Sequence, residues 1–122
     1  ILLAVLEKKL GFNFKASDVH INITGGLYAS EPAVDLGIVF SVISSFRDYP
    51  IDSKTADVGE VGLTGEVRAV NLFNKRIKEL KKLGFKNIIV PSGNVKERKF
   101  DPDLNLIEIS DLQEGLDLYF NY

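Results

Sequence analysis

Residues 71–91 have the sequence NLFNKRIKELKKLGFKNIIVP, and this stretch decides the fold class. At helical spacing one face carries the apolar residues Phe73, Ile77, Leu80 and Leu83. Gly84 is typical of a helix end, and Asn87–Pro91 is a short apolar run that predicts a buried strand. A helix that leads directly into a buried strand is the repeating unit of α/β proteins.

Outward from this stretch, helical and extended patterns continue to alternate. Strands are predicted at Asp18–Thr24, at two places within residues 54–70 joined around Gly62–Gly65, and at Leu104–Ile109. Helices are predicted over residues 1–10, from Ser30–Pro32 to about Phe46, and after Ser110, which is expected to cap the last one. This order predicts an α/β (or α+β) fold with one layer of helices packed against a mixed sheet.

Composition excludes several classes of function. The chain has 122 residues, 45% hydrophobic and 26% charged, which is the balance of one globular domain. The lack of Cys excludes thiolate metal sites and cysteine nucleophiles, and a single His leaves a Ser-His-Asp triad with one candidate. No apolar run is long enough to span a membrane, and no Gly-rich phosphate-binding motif is present. Because the chain begins with Ile1 rather than Met, we expect a fragment of a longer, cytoplasmic protein.

Charge is unevenly distributed along the chain. Residues 75–99 contain nine of the fifteen Lys and Arg and two acids, a charge of +7, whereas the remainder carries −9. A segregated basic segment is a candidate surface for DNA, and the commoner alternative is a solvated lysine face. The candidate DNA-binding residues are Lys75, Lys78 and Lys82 on one side of the helix, Lys86, Lys96, Arg98 and Lys99 on the loops, and Arg68. Arg68 could instead be a surface partner of Glu60 or Glu66.

Three stretches resemble one bacterial family. Residues 25–36 (GGLYASEPAVDL), 59–68 (GEVGLTGEVR) and 84–91 (GFKNIIVP) are similar to the carboxy-terminal domain of the RadA (Sms) DNA repair proteins, and the resemblance covers essentially all of residues 1–122. That domain is similar in turn to the proteolytic domain of Lon, with a fold like domain 2 of ribosomal protein S5. The resemblance implies a single domain of a longer DNA-dependent ATPase, whose upstream parts bind ATP, magnesium and zinc.

The likeness to Lon also bears on catalysis. Lon has its nucleophilic Ser directly after a Pro, and this chain has Ala33 there, which has no hydroxyl group. The position of the general-base Lys in Lon corresponds to Asn74, a neutral amide. Since a Ser–Lys dyad needs both partners, the resemblance implies a domain with no catalytic, metal or cofactor site of its own.

The resemblance implies two functions for this domain, assembly of a ring and binding of DNA. RadA-like proteins form hexameric rings on DNA and drive branch migration. The resemblance implies that this domain serves as a scaffold for the ring and as a DNA-binding surface. It implies no contact with a membrane. Two alternatives stay open. One is a peptidase with a displaced dyad of Ser30 and Lys75, and the other is a pure assembly module whose lysines only solubilise it.

Overall fold

A computed structural model describes residues 32–120 of the chain. The predicted helix over residues 1–10, the predicted strand Asp18–Thr24 and Ser30 lie outside the described residues. The strands are β1 (Thr55–Asp57), β2 (Glu60–Val61), β3 (Val67–Arg68), β4 (Asn87–Pro91) and β5 (Asn105–Ile109), and the helices are α1 (Asp35–Arg47), α2 (Phe73–Lys82) and α3 (Leu112–Phe120). Short 3-10 turns lie at Pro32–Val34 and Ser92–Glu97.

The strands form two separate sheets within this part of the chain. β1, β4 and β5 form a parallel sheet in the order β1-β4-β5, with Ile88 in register with Ala56 and Leu106. β2 and β3 form an antiparallel hairpin. Parallel neighbours need a crossover connection, and α2 lies in the crossover from β1 to β4. The α/β class predicted from residues 71–91 is therefore confirmed.

Helices cover both faces of the parallel sheet, not one as the sequence predicted. On β4, Ile89 belongs to a core cluster with residues of α1 and α3, whereas Ile88 and Val90 belong to a second cluster with Phe73 and Ile77 of α2. Because successive side chains of a strand point to opposite faces, three consecutive buried residues require a cover on each side. The apolar run of β4 is therefore the signature of a doubly covered strand.

Residues 54–70 contain three strands rather than the two predicted. β1 belongs to the parallel sheet, and the chain leaves it at Val58, whose N–H still donates to Ile89 O at 2.9 Å. The predicted turn is confirmed in the hairpin, where Gly65 has φ +85° and its N–H donates to Gly62 O at 3.0 Å. Glycine adopts this left-handed backbone without strain.

Helix α2 begins at Phe73, directly after a residue with left-handed backbone. Leu72 precedes the first turn with φ +54°, and no side chain caps the helix. Arg76 reaches back to Asn71, where its Nε donates to the backbone oxygen and its Nη2 to Oδ1, both at 2.8 Å. The predicted end at Gly84 is confirmed, since Gly84 has φ +97° and its N–H donates to Lys81 O.

Candidate functional site

Six lysines of the basic segment have exposed side chains on α2 and the segments around β4. Within residues 32–120 none of them forms an ion pair, and we call them the unpaired lysines: Lys75, Lys78, Lys82, Lys86, Lys96 and Lys99. The amphipathic pattern explains the three on α2, because burial of Phe73 and Ile77 turns the opposite face of the helix to solvent. All six were candidates from the sequence.

The two arginine candidates are both held by carboxylates. Arg68 on β3 lies 3.8 Å from Glu60 Oε1 and 3.2 Å from Glu66 Oε2. Arg98 lies 2.6 Å from Glu108 Oε1 on β5. A paired guanidinium must leave its carboxylate before it can bind a phosphate in full, so these two contribute less positive potential than the unpaired lysines.

Lys81 on α2 is neutralised in the same way. Its Nζ donates to Asp101 Oδ2 at 2.7 Å and lies 3.7 Å from Asp103 Oδ2. The hydrogen bond with Asp101 raises the pKa of Lys81 and lowers the pKa of Asp101, so both groups stay charged at neutral pH. The pair also ties α2 to the loop before β5.

A cleft of about 600 Å³ lies along one flank of α2. Its lining consists of Asn74, Ile77, Lys78, Lys81, Lys82, Lys99, Phe100, Asp101, Leu104 and Leu106, and we call it the lysine cleft. Apolar side chains of α2 and β5 are therefore bordered by cationic ones. Phe100 was not singled out in the sequence, because a phenylalanine among polar residues gives no sign of whether it is buried.

Ala33, which the resemblance to Lon places at the nucleophile position, is buried and lines a different cleft. That cleft, of about 500 Å³, lies on the other flank of α2 and is lined by Ala33 together with Lys75 and Arg76. Asn74 lines the lysine cleft instead, and its Nδ2 donates to Glu97 O at 3.0 Å. The methyl group of Ala33 offers no nucleophile, and the amide of Asn74 is occupied in fixing a loop.

Asn94 positions part of the basic surface and was missed in the sequence. It is 1% exposed, accepts from Val70 N–H at 2.9 Å and donates through Nδ2 to Val70 O and Glu97 Oε1. These bonds fix the Ser92–Glu97 turn, which carries Lys96, against the segment that leads into α2. A buried, fully bonded amide is costly to lose.

A buried carboxyl group was also missed. The Tyr119 hydroxyl of α3 donates to Asp57 Oδ1 on β1 at 2.6 Å. Burial raises the pKa of Asp57 to about 7, and the Tyr119 hydrogen bond opposes that rise. The two residues are far apart in the chain, so no local pattern could have paired them.

Two further properties of residues 32–120 concern partners. They contain no cluster of three or more His, Asp or Glu side chains placed to hold a metal ion. None of their helices is long and apolar enough to cross a membrane.

Comparisons with known proteins identify the family. Residues 2–94 match the family model described as subunit ChlI of Mg-chelatase. The chain is 42% identical over 116 residues to the DNA repair protein RadA of Bacillus subtilis (strain 168), which covers 95% of this chain and 25% of the relative. It is 37% identical over 120 residues to DNA repair protein RadA of Streptococcus pneumoniae, covering 98% of this chain and 29% of the relative.

A third relative is the DNA repair protein RadA of Helicobacter pylori (strain 26695), which is 45% identical over 91 residues, 75% of this chain and 20% of the relative. The chain therefore spans about a quarter of the length of the curated relatives it matches. Together with the ChlI-type match, these similarities show that the chain belongs to the RadA family of DNA repair proteins and corresponds to a carboxy-terminal part of them.

Proposed function

We propose that this chain is the non-catalytic DNA-binding and ring-scaffold domain of a RadA-type ATPase that acts in recombinational DNA repair. The observation that carries the proposal is the set of unpaired lysines, six exposed ammonium groups around α2 and β4 in a family of DNA repair proteins. Single-domain organisation over residues 1–122 and a Lon-like fold are part of the same proposal, supported by the α/β architecture and by the motifs over residues 25–36 and 59–68.

The charge pattern supports a phosphate backbone as the partner. Lysines that form no ion pair are available for phosphate contacts, and each contact releases counterions from DNA. Phosphate contacts carry no base information, so binding is expected to be similar across sequences. Arg68 and Arg98 are secondary candidates because Glu66 and Glu108 already bind them.

A non-catalytic role is supported at the two positions that correspond to the Lon dyad. Ala33 has no hydroxyl group, and Asn74 has no basic nitrogen and bonds Glu97 O. Lys75 lines the cleft of Ala33, but a lysine there would still lack a nucleophile at position 33. The displaced dyad with Ser30 involves a residue outside the described part of the chain.

Assembly explains how a chain of net charge −2 can bind DNA. One copy offers a small basic patch on an acidic domain, whereas a ring of six copies presents several patches to one duplex, and avidity multiplies their effect. ATP, magnesium and zinc would be bound by other parts of the longer protein, and the repair reaction would take place in the cytoplasm.

The test is a charge reversal of three unpaired lysines on α2. Lys75→Glu, Lys78→Glu and Lys82→Glu together, in the full natural length of the protein, are expected to weaken binding to a labelled duplex by at least about 10-fold at low salt. The plot of log affinity against log salt should become shallower, because fewer counterions are released. Fluorescence anisotropy over a salt series measures both quantities.

The matched control replaces the same three lysines with arginine. Charge is kept, so affinity and salt slope should stay near those of the wild type. A folded and assembled Glu variant that binds DNA with wild-type affinity and slope would contradict the proposal and leave assembly as the role of the domain.

A further inference from the structure

Phe100 stands out among the apolar side chains of the described residues. It is 91% exposed, more than Leu83 at 73% or Leu63 at 68%, the next two in order. It lies on the rim of the lysine cleft, just before β5, and its ring makes no ring–ring contact within residues 32–120. A single exposed aromatic side chain needs no explanation by itself. The side chains around Phe100, however, are mostly apolar or cationic.

The charges around Phe100 leave the cleft open to an anion. Lys78, Lys82 and Lys99 line the same cleft and belong to the unpaired lysines. Asp101 also lines the cleft, but it is bound by Lys81 at 2.7 Å. The net result is an aromatic ring bordered by three ammonium groups that form no ion pair within residues 32–120.

The shape of the cleft matches the chemistry of an unpaired nucleotide. Its apolar floor is formed by Ile77, Leu104 and Leu106, and its volume of about 600 Å³ is in the range of small-molecule sites. Proteins that bind single strands combine a cationic groove for the backbone with aromatic rings on which bases stack. In a duplex the bases are already stacked on each other, so they are not available to stack on an exposed aromatic ring.

We propose that the lysine cleft binds single-stranded DNA, with one base stacked on Phe100 and the flanking phosphates held by Lys78, Lys82 and Lys99. This deepens the proposed function and rests on it, because the same surface would contact DNA. The lysines give affinity for any strand, whereas Phe100 discriminates a strand with free bases from one whose bases are paired.

The test compares three ligands of matched length: a labelled 15-nucleotide oligo-dT, the same backbone with abasic sites throughout, and a blunt duplex. The protein is used in its full natural length. Wild type should bind oligo-dT tighter than the abasic strand, and Phe100→Leu should weaken binding to oligo-dT by about 5-fold or more, as expected for one lost base–aromatic stack. Binding of the abasic strand and of the duplex should not change, because neither presents a free base.

Phe100→Tyr is the matched control, since it keeps an aromatic face. It should bind oligo-dT like the wild type. The side chain is exposed, so none of these changes should disturb folding, and circular dichroism would verify this.

Three outcomes would overturn the proposal. Phe100→Leu could bind oligo-dT like the wild type, it could lose all three ligands equally, or wild type could bind abasic and intact strands alike. If Phe100→Leu binds oligo-dT like the wild type, or if the wild type does not distinguish abasic from intact strands, the proposed function stands and base stacking on Phe100 is excluded. If Phe100→Leu loses all three ligands equally, Phe100 supports the DNA-binding surface in general and does not select free bases. Wild-type binding by the Lys75, Lys78 and Lys82 variant, in contrast, would remove the proposed function itself.

Discussion

At the scale of the residue, Asp57 links the stability of the domain to pH. Its carboxyl group lies where β1 meets α3, at the edge of the cleft that Ala33 lines, and Tyr119, itself in edge contact with Phe40 at a centroid distance of 4.9 Å, donates to it. The folded-state pKa of Asp57 is raised from the ordinary 3.8 to about 7. The protonated form is therefore the one that the fold favours.

The sign of the pH effect follows from that direction. Since the folded state holds the proton more tightly than the unfolded state, the stabilisation by Asp57 is fully present below about pH 4 and is lost as the pH rises through about 7. At about 1.4 kcal/mol per pKa unit, the loss is at most about 4 kcal/mol. Asp57→Asn keeps an acceptor for Tyr119 without the charge, so it should match the wild type near pH 4 and exceed it at pH 8.

Urea unfolding at several pH values between 4 and 8 measures this difference. Asp117→Asn, on the exposed side of α3, is the control and should follow the wild-type profile. Parallel profiles of wild type and Asp57→Asn across the whole range would contradict the assignment.

At the scale of the element, α3 begins one residue later than predicted, and its cap is Asp111 rather than Ser110. Asp111 Oδ1 accepts from Glu114 N–H at 2.9 Å, and Glu114 Oε1 accepts from Ser110 N–H at 3.1 Å. This resembles a capping box, except that Glu114 accepts from the N–H of Ser110, the residue before the cap, rather than from that of Asp111. The hydroxyl of Ser110 is instead 2.8 Å from that of Ser92, which links the start of α3 to the Ser92–Glu97 turn.

Loss of the cap should destabilise the domain measurably. Asp111→Ala leaves the N–H of Glu114 without its acceptor, and we expect a loss of about 1 kcal/mol, within the usual range for N-caps. Ser110→Ala should cost less, because its hydroxyl bonds only another hydroxyl. The midpoint of urea unfolding checks both, and a larger loss for Ser110→Ala than for Asp111→Ala would return the cap to Ser110.

At the scale of the whole molecule, an acidic remainder opposes the basic segment. The chain carries +7 over residues 75–99 and −2 in total, so the patch acts within a Debye length while the rest of the surface repels DNA. Helices on both faces of the parallel sheet leave the outer side of α2 as a rigid support for Lys75, Lys78 and Lys82. This charge balance predicts that a single copy binds DNA only weakly.

Several linked copies of the domain should bind duplex DNA more tightly than one copy, because each copy contributes its unpaired lysines. Fused to a six-stranded coiled coil, the chain is expected to bind duplex DNA at least about 100-fold tighter per subunit than the unfused chain, which is the low end of avidity gains. The same fusion with glutamate at positions 75, 78 and 82 should lose that gain. Equal affinities of the fused and unfused chains in anisotropy titrations would show that copies of this domain do not cooperate on DNA.

Local chemistry by itself determined several of the elements within residues 32–120. The period of the apolar residues in α2, the turn around Gly62–Gly65, the helix end at Gly84 and the apolar run of β4 each depend on a few neighbouring residues, and each was predicted from them. The unpaired lysines were likewise candidates from the sequence, because clustered charge can be counted along the chain.

Only the tertiary structure determined how those elements pack and which side chains pair between them. The parallel order β1-β4-β5, the cover on both faces of β4, the carboxylates that bind Arg68 and Arg98 and the exposure of Phe100 all depend on residues that are distant in the chain. The sequence pattern indicates that a residue is buried or charged, but it does not identify the residue that it contacts. Packed cores and ion pairs are formed by contacts between segments that are distant in the chain. For the same reason the sequence could not distinguish the six unpaired lysines from Lys81, Arg68 and Arg98. All nine side chains are cationic, but the carboxylates that bind the last three are identified only by the fold.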